Sequence, residues 1–237
     1  MIQFYSPEIE DTLSLPEGES SHCCRVLRKR EGDEIIVTDG KGKRFLCEIT
    51  RSHPSHTELR IIKEEETTPQ KNYHLTLAIA PTKNSERMEW MVEKAVEIGV
   101  DKIVLLKCQR SERKVQRSDR LMKVMISAMK QSLSTNLPEL EDLTEYKAFV
   151  GRKDEDVKKY FGYCSQEYPR KEFVKEYKGG GDVIVMIGPE GDFTPEEVEF
   201  AVENGYLPVS FGNKRLRTET AGVFAVSAVH TINQRLK

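Results

Sequence analysis

Residues 72–237 combine two hydrophobic patterns, short continuous apolar runs and longer segments in which apolar positions recur with a helical period. The continuous runs predict buried strands at residues 74–80, 102–107, 182–187 and 207–211. The periodic segments predict helices at residues 85–98, 118–133, 195–204 and 220–236. Strands that alternate with helices are typical of a parallel sheet covered by helices, so an α/β fold is predicted for this part of the chain.

Residues 1–68 follow a different pattern, in which apolar and polar positions alternate one by one. Alternation of this kind indicates strands with one buried face. Three strands are predicted, at residues 33–38, 44–50 and 57–63, after a helical turn at residues 20–28. Because an Asp-Gly turn at Asp39 joins the first two strands, a small β-barrel is predicted here.

A polar, charged segment with one proline, residues 64–71, separates the two patterns and is interpreted as a linker. The chain is therefore predicted to contain a β-barrel domain at residues 1–68 and an α/β domain at residues 72–237. Residues 142–181 show no clear pattern. Their three consecutive glycines at 179–181 predict a flexible joint.

The predicted strand at 182–187 runs into a glycine-containing loop, Ile187, Gly188, Pro189, Glu190 and Gly191. Ligands of open α/β sheets bind beyond the carboxyl ends of strands, and the two glycines allow close approach of the backbone and a positive φ. Glu190 and Asp192 at the start of the next helix disfavour a phosphate and favour a cationic or zwitterionic ligand. The alternative is a tight strand-to-helix turn, for which Thr194, Pro195 and Glu197 supply the N-cap, the first helical residue and a capping box.

A second loop, residues 212–221, follows the last predicted strand. It places Arg215, Arg217 and Glu219 close to the predicted helix start at Thr220. A packing turn does not require two arginines and a glutamate, so these residues predict ligand contacts; the alternative is ion pairing at the surface. Two such loops at the ends of adjacent strands would form a pocket of backbone N–H groups. The G-x-G-x-x-G and P-loop motifs are absent, which disfavours the usual dinucleotide and P-loop nucleotide sites.

Charge is distributed unevenly along the chain. The net charge is −2 over 237 residues, which excludes a protein that binds nucleic acid through its overall charge. Residues 102–130, however, contain nine basic and two acidic residues. This stretch is interpreted as a track for RNA phosphates, and the alternative is a solvated helix face. Arg25, Arg28, Lys29 and Arg30 form a second basic group in the predicted barrel.

The composition also bears on compartment and on metal binding. Five cysteines without a C-x-x-C pair argue against a disulfide framework and a zinc site, and no other metal-ligand spacing is visible. The first residues lack the basic and apolar regions of a signal peptide, and no apolar run approaches the roughly 18–20 residues that span a bilayer. We therefore expect a soluble cytoplasmic protein that needs no metal.

Several motifs together resemble those of one enzyme family. Residues 187–191 and 216–221 resemble the signature loops of the SPOUT methyltransferases. Nearly the whole chain is similar to the RsmE-type 16S ribosomal RNA uridine-N3 methyltransferases, with further matching motifs at residues 22–28, 32–33, 83–99 and 111–113. The chain departs from this pattern where Asp192 replaces a glycine and where no arginine follows Gln131, which puts an RNA contact at that turn in doubt. Aspartate tolerates left-handed geometry, so the first loop is expected to be preserved.

The resemblance implies a PUA-like N-terminal barrel, a C-terminal α/β domain with a deep trefoil knot, and a homodimer. It implies S-adenosylmethionine as the cofactor and N3 of one uridine in small-subunit ribosomal RNA as the methyl acceptor. The implied cofactor-binding residues are Ile187, Gly188, Pro189, Glu190, Gly191, Phe211, Gly212, Leu216, Thr218, Thr220 and Ala221. Two alternatives are a non-catalytic RNA-binding ribosome-assembly protein and an enzyme of another class that binds a nucleotide with the same loops. Trp90 is expected to lie in the core or in a dimer contact.

Methyl transfer to N3 of uracil requires removal of the proton that this nitrogen carries, or stabilisation of the anion at O2 and O4. Arg217 and Glu219 are the candidate catalytic residues. Arg217 is predicted to stabilise the anion or to fix an RNA phosphate, and Glu219 to hold Arg217 or to act as a base. RNA contacts are predicted for His22, Arg25, Arg28, Arg87, Arg110, Arg113 and Lys114.

Overall fold

The computed structural model describes residues 2–65, 71–112, 118–153, 156–165 and 168–236. The chain divides into two compact units. The barrel unit comprises Met1–Gln70 and Ile126–Leu137, and the sheet unit comprises Lys71–Met125 and Pro138–Lys237. The units therefore interleave along the sequence, and one boundary falls inside a helix, Ser118–Gln131.

The strands of the barrel unit are β1 Gln3–Tyr5, β2 Ser14–Leu15, β3 Glu34–Thr38, β4 Arg44–Arg51 and β5 Thr57–Glu65. Within the described residues they form a five-stranded, barrel-like sheet with the order β1-β3-β4-β5-β2. The three predicted strands are confirmed as β3, β4 and β5. Phe45, Cys47 and Ile49 of β4 are at most 2% exposed, so every second residue of this strand faces the core, as its alternation predicts.

The helices of the barrel unit are α1 Ile9–Thr12 and α2 Glu17–Ser21, and α2 continues as a π-helix over His22–Val26. The Leu27 N–H donates to the carbonyl of His22 at 3.0 Å, five residues back, which closes the wider turn. Arg28 then ends the segment with a left-handed φ of 56°. The predicted helical turn is confirmed in this form, and the side chains of His22, Arg25 and Arg28 are exposed on it.

The strands of the sheet unit are β6 Leu75–Ile79, β7 Lys102–Lys107, β8 Glu139–Glu145, β9 Lys158–Gly162, β10 Lys171–Glu172, β11 Val183–Ile187 and β12 Leu207–Ser210. Within the described residues they form a seven-stranded parallel sheet with the order β10-β12-β9-β11-β6-β7-β8. The four predicted strands are confirmed as β6, β7, β11 and β12, and with them the α/β class. All residues of β6 and β11 are buried, which explains their continuous apolar runs.

The remaining helices are α3 Ser85–Ile98, α4 Ser118–Gln131, α5 Tyr146–Val150, α6 Phe173–Glu176, α7 Pro195–Glu203 and α8 Thr218–Gln234. All of them belong to the sheet unit except the part of α4 from Ile126 onwards. The side-chain oxygen of Asn84 accepts two backbone N–H groups at the start of α3. At α7, the predicted capping box of Thr194 and Glu197 is confirmed. Helix α8 begins at Thr218, two residues earlier than predicted. No described helix combines the length and the apolar character that crossing a membrane requires.

The three glycines at 179–181 have positive φ values of 79°, 70° and 65°. The Lys158 ammonium group donates to the carbonyls of Gly179 and Gly180 at 2.6 Å each, and the Gly180 N–H donates to Asn233 Oδ1 at 2.8 Å. Left-handed backbone geometry therefore accounts for these glycines. Specific hydrogen bonds therefore hold this segment in place, whereas the sequence predicted a flexible joint.

Trp90 of α3 lies outside the core. It is 45% exposed, whereas Met88 and Met91 on the same helix are fully buried. Of the two positions expected for Trp90, the core is therefore excluded.

Glu141 of the edge strand β8 is surrounded by donors. Its carboxylate accepts hydrogen bonds from the Arg152 guanidinium and the Thr144 hydroxyl, and Lys102 Nζ lies 3.0 Å from Oε2. The hydrogen bonds from Arg152 contribute most, and together these groups lower the pKa of Glu141 from 4.5 to about 2.

Candidate active site

The carboxyl ends of β9, β11 and β12 meet around one cleft of about 1060 Å³, a size suited to a nucleoside-sized ligand. Predicted site residues that line it are Ile187, Gly188, Pro189, Glu190, Phe211, Gly212, Leu216, Arg217, Thr218 and Ala221. Three residues predicted for the site, Gly191, Glu219 and Thr220, are not part of the lining. The structure thus brings together most of the residues that the two loops contribute.

The two predicted loops are in direct contact. The Thr218 hydroxyl donates to the carbonyl of Gly188 at 3.2 Å, and Arg215 Nη2 donates to the carbonyl of Glu190 at 3.4 Å. Because these bonds join the residues after β11 to those after β12, the loops form one wall of the cleft.

The strands that carry the loops are not neighbours, contrary to the prediction. Strand β9 lies between β11 and β12 and pairs with both, and it contributes Gly162, Tyr163 and Cys164 to the cleft. A methyl group on Gly162 would lie 2.6 Å from Phe211 Cε2, so glycine leaves room for this aromatic ring at the cleft wall. The available signal was the pair of aromatic residues Tyr160 and Phe161 followed by a glycine.

The first loop uses its glycines for packing. Positive φ was predicted for Gly188 and Gly191, but the left-handed residue of this loop is Asp192, with a φ of 61°. An added Cβ would lie 3.1 Å from the Phe193 ring at Gly188 and 3.3 Å from Arg110 Cβ at Gly191. The expectation that aspartate preserves the loop is confirmed, because Asp192 adopts the left-handed conformation that a glycine would take.

Asp192 also links the first loop to the end of β9. Its Oδ2 accepts the backbone N–H of Cys164 at 3.1 Å. Burial raises the pKa of the Cys164 thiol, and the negative charge of Asp192 raises it further. The thiol therefore stays protonated at neutral pH.

The cleft carries charges of both signs. Glu172, Glu190 and Asp192 line it, together with Arg170, Lys214, Arg215 and Arg217. The Arg170 guanidinium donates to the carbonyls of Tyr163 and Cys164 at 2.7 and 2.9 Å, which fixes the backbone after β9. The acidic residues alone disfavour a phosphate, and the basic groups in the cleft offset part of their negative charge. A zwitterionic ligand matches this mixture of charges.

The two candidate catalytic residues occupy different environments. Arg217 is exposed, occupies the N-cap position of α8 without a side-chain capping bond, and lines the cleft. Glu219 is buried in the first turn of α8, and its Oε1 lies 3.8 Å from Nε of Arg87. Glu219 therefore pairs with Arg87 and not with Arg217, the partner predicted for it.

The structure places the residues predicted to contact RNA in different environments. His22, Arg25 and Arg28 are exposed on the barrel unit, and Arg87 is exposed on α3. Arg110 donates hydrogen bonds from Nη1 to the carbonyls of Gly191 and Phe193, so it contacts the first loop. Arg113 and Lys114 lie outside the described residues.

Two family models match the chain. The RNA methyltransferase domain matches residues 69–230, and the RNA methyltransferase PUA domain matches residues 15–62. The two matches therefore cover both parts of the chain.

Individual relatives agree with these matches. Ribosomal RNA small subunit methyltransferase E from Aquifex aeolicus is 30% identical, over 96% of this chain and 98% of its own. A probable rRNA-methyltransferase from Porphyromonas gingivalis has a similar structure, with a TM-score of 0.94 and 39% identity over 100% of both chains. Ribosomal RNA small subunit methyltransferase E from Neisseria gonorrhoeae, crystallised with S-adenosyl methionine, gives a TM-score of 0.87 and 28% identity over 98% of both chains. Because the domain match covers more than half of the chain and the similarity extends over full-length relatives, this protein belongs to the RNA methyltransferase family, in the group of ribosomal RNA small subunit methyltransferase E.

Proposed function

We propose that the protein transfers the methyl group of S-adenosylmethionine to N3 of one uridine in 16S ribosomal RNA of the small subunit. The observation that carries the proposal is the cleft at the ends of β9, β11 and β12, whose wall consists of the two loops that resemble the family's signature loops. A relative with the same fold was crystallised with this cofactor. The reaction takes place where ribosomal RNA is made and assembled, in the cytoplasm.

The residues of the cleft fit the cofactor. Ile187, Leu216 and Ala221 supply apolar surface for an adenine ring, and Gly212 leaves open space beside the backbone. Carboxylates and arginines in the same cleft match the charges of a methionine moiety. When bound, S-adenosylmethionine supplies a methyl group on a positively charged sulfur, and Glu190 would favour that charge.

Arg217 is the proposed electrostatic catalyst. As an exposed side chain on the cleft wall it can approach the O2 or O4 oxygen of a uracil that has lost its N3 proton. A guanidinium group there stabilises the developing anion. Glu219 is less suited to take the proton, because its buried carboxylate pairs with Arg87 and does not line the cleft.

RNA binding is assigned to both parts of the chain. We propose that residues 1–68 form an RNA-binding domain and residues 72–237 the catalytic domain with the family's trefoil knot. His22 and Arg25 on the π-helix, and Arg28 just after it, are exposed and supply hydrogen bonds and positive charge for RNA phosphates.

A homodimer is also proposed. Trp90 on α3 and Phe224 on α8 are 45% and 36% exposed, and large exposed aromatic side chains are characteristic of protein interfaces. The charged variant Trp90→Arg is expected to convert a dimer to a monomer in light scattering coupled to gel filtration. A dimer that persists in Trp90→Arg would place the interface elsewhere.

The decisive experiment is methylation of small ribosomal subunits and of free 16S RNA, isolated from cells that lack the protein, followed by mass mapping of the nucleosides. We expect one N3-methyluridine to appear. A different methylated nucleoside would refute the acceptor atom and leave the enzyme class intact. Binding of RNA without any turnover would instead support the ribosome-assembly alternative.

The role of Arg217 is tested in the same assay. Arg217→Ala should reduce turnover by about 100-fold, because removing one anion-stabilising donor typically costs this much. Calorimetry should still detect binding of S-adenosylhomocysteine to this variant. Arg235→Ala is the matched control, since it removes an exposed arginine at the C-terminal end of α8, away from the cleft lining. Full turnover by Arg217→Ala would remove Arg217 from the mechanism.

A further inference from the structure

The turn that follows β7 is built against the first cofactor loop. The backbone N–H of Gln109 donates to Oε1 of Glu197 at 2.8 Å, while Oε2 of the same carboxylate accepts the Thr194 N–H of the α7 capping box at 2.9 Å. Within the turn, the Cys108 N–H donates to Oγ of Ser111 at 3.0 Å. One buried glutamate therefore fixes both the turn and the end of the loop.

Arg110 extends from this turn onto the loop itself. Its Nη1 donates to the carbonyl of Gly191 at 2.9 Å and to the carbonyl of Phe193 at 3.3 Å. A guanidinium Nη carries two protons, so both protons of Nη1 are used. The aliphatic part of Arg110 also lies against Gly191, where an added Cβ would be 3.3 Å from Arg110 Cβ and 3.5 Å from Arg110 Cδ. The second glycine of the loop is thus matched to the stem of this arginine.

We infer that Arg110 is a positioning residue for the methyl donor, which acts by holding the outer limb of the loop at residues 188–193. This inference rests on the proposed function, since it assumes that the cleft binds S-adenosylmethionine. It differs from the sequence-based prediction, in which Arg110 contacts RNA. The loop carbonyls that Arg110 holds belong to residues on either side of the left-handed Asp192, so the guanidinium bridges the bend of the loop.

The direct test measures S-adenosylhomocysteine binding by calorimetry and the RNA KM in steady-state assays. Arg110→Ala should raise the Kd for S-adenosylhomocysteine by about tenfold, because the loop loses two charge-assisted hydrogen bonds, while the KM for RNA stays within about twofold. Arg110→Lys, which keeps the aliphatic stem and the positive charge but not the planar guanidinium, should recover part of the affinity. Arg235→Ala, the charge control, should leave the cofactor Kd unchanged.

A double-mutant cycle separates positioning from general destabilisation. Gly191→Ala alone should weaken S-adenosylhomocysteine binding by about threefold, because its methyl group displaces Arg110. In the Arg110→Ala background the same change should cost less, since the Cγ and Cδ atoms that the methyl group meets are gone and only the contact with Cβ at 3.3 Å remains. Independent, additive losses would overturn the inference.

Two further results would separate a failure of this inference from a failure of the proposed function. An Arg110→Ala enzyme with unchanged cofactor Kd and a raised RNA KM would overturn the inference and restore the RNA contact. A wild-type protein that binds neither S-adenosylmethionine nor S-adenosylhomocysteine would refute the proposed function itself. Melting temperatures within a few degrees of wild type show that the variants are folded.

Discussion

Replacement of Gly162 by alanine tests whether β9 shapes the cofactor cleft. The new Cβ would lie 2.6 Å from Phe211 Cε2 and 3.4 Å from Ile187 Cδ1. The Phe211 ring cannot turn away freely, because it packs against the rings of Phe173 and Phe224 with centroids 5.6 and 5.5 Å apart. The ring and the loop that follows it must therefore move.

The expected cost of Gly162→Ala follows from overpacking of a well-packed site, which typically destabilises a protein by about 1–3 kcal/mol. For a protein of this size, that corresponds to a melting temperature lower by about 2–12 °C. Because Phe211 leads directly into the second loop, the Kd for S-adenosylhomocysteine should also rise by about tenfold, or about 1.4 kcal/mol.

Thermal unfolding and calorimetry measure the two effects. Gly18→Ala is the matched control, because no atom lies within 4 Å of its added Cβ; as an alanine in helix α2 it should be neutral or stabilise by up to about 1 kcal/mol. Phe211→Leu in the Gly162→Ala background should recover part of the lost melting temperature. A Gly162→Ala protein with wild-type melting temperature and wild-type cofactor Kd would refute the steric reasoning.

Three further changes test contacts of the sheet unit. Thr218→Val leaves the buried carbonyl of Gly188 without its hydroxyl donor, so urea denaturation should show a loss of about 1–3 kcal/mol, whereas Thr231→Val at an exposed position of α8 should change stability by less than about 0.5 kcal/mol. Asp192→Ala places a less tolerant residue at a φ of 61° and should weaken S-adenosylhomocysteine binding more than Asp192→Asn, which keeps the left-handed preference; equal affinities would contradict this. For Glu141, the pKa is about 2 in the folded protein against an ordinary value of 4.5, so the ionised carboxylate stabilises the fold above pH 4.5 and this contribution is lost as the pH falls towards 2. The stability difference between wild type and Glu141→Gln, at most about 3 kcal/mol at neutral pH, should therefore shrink over that range, and a constant difference would contradict the assignment.

Complete burial makes two of the predicted strands easy to recognise in the sequence. Strands β6 and β11 are buried at every position, so their apolar runs are continuous and can be recognised locally. Strand β9 is equally central in the sheet, but it begins with Lys158 and Lys159. Their ammonium groups lie 5.6 and 5.5 Å from the ring centroids of Tyr177 and Tyr206, and long side chains of this kind place a charge on an otherwise apolar surface. Because these two charged residues interrupt the apolar run, β9 cannot be recognised from the local sequence.

The cleft likewise combines features that the local sequence predicts with features that it does not predict. Glycine loops at the ends of β11 and β12 could be predicted because each follows an apolar run. The insertion of β9 between those strands could not, because strand order depends on pairing between segments that are distant in sequence. The ion-pair partner of Glu219 could not be predicted for a similar reason. The sequence suggested Arg217, two residues away, but the partner is Arg87, which lies in a different helix.

The glycines of the site show what a better sequence signature would contain. Gly162, Gly188 and Gly191 do not have positive φ values; each lies against a bulky side chain that a Cβ would meet at 2.6 to 3.3 Å. Gly212 differs, with a φ of 111° and no atom within 4 Å of an added Cβ. At the first three positions, glycine is therefore required by a neighbouring side chain, which is an aromatic ring or the stem of Arg110. If that side chain were small, a larger residue would fit in place of the glycine. A chain that carries both members of these pairs satisfies a three-dimensional packing requirement, so the pairs should identify this cleft with fewer false matches than the glycine loops alone.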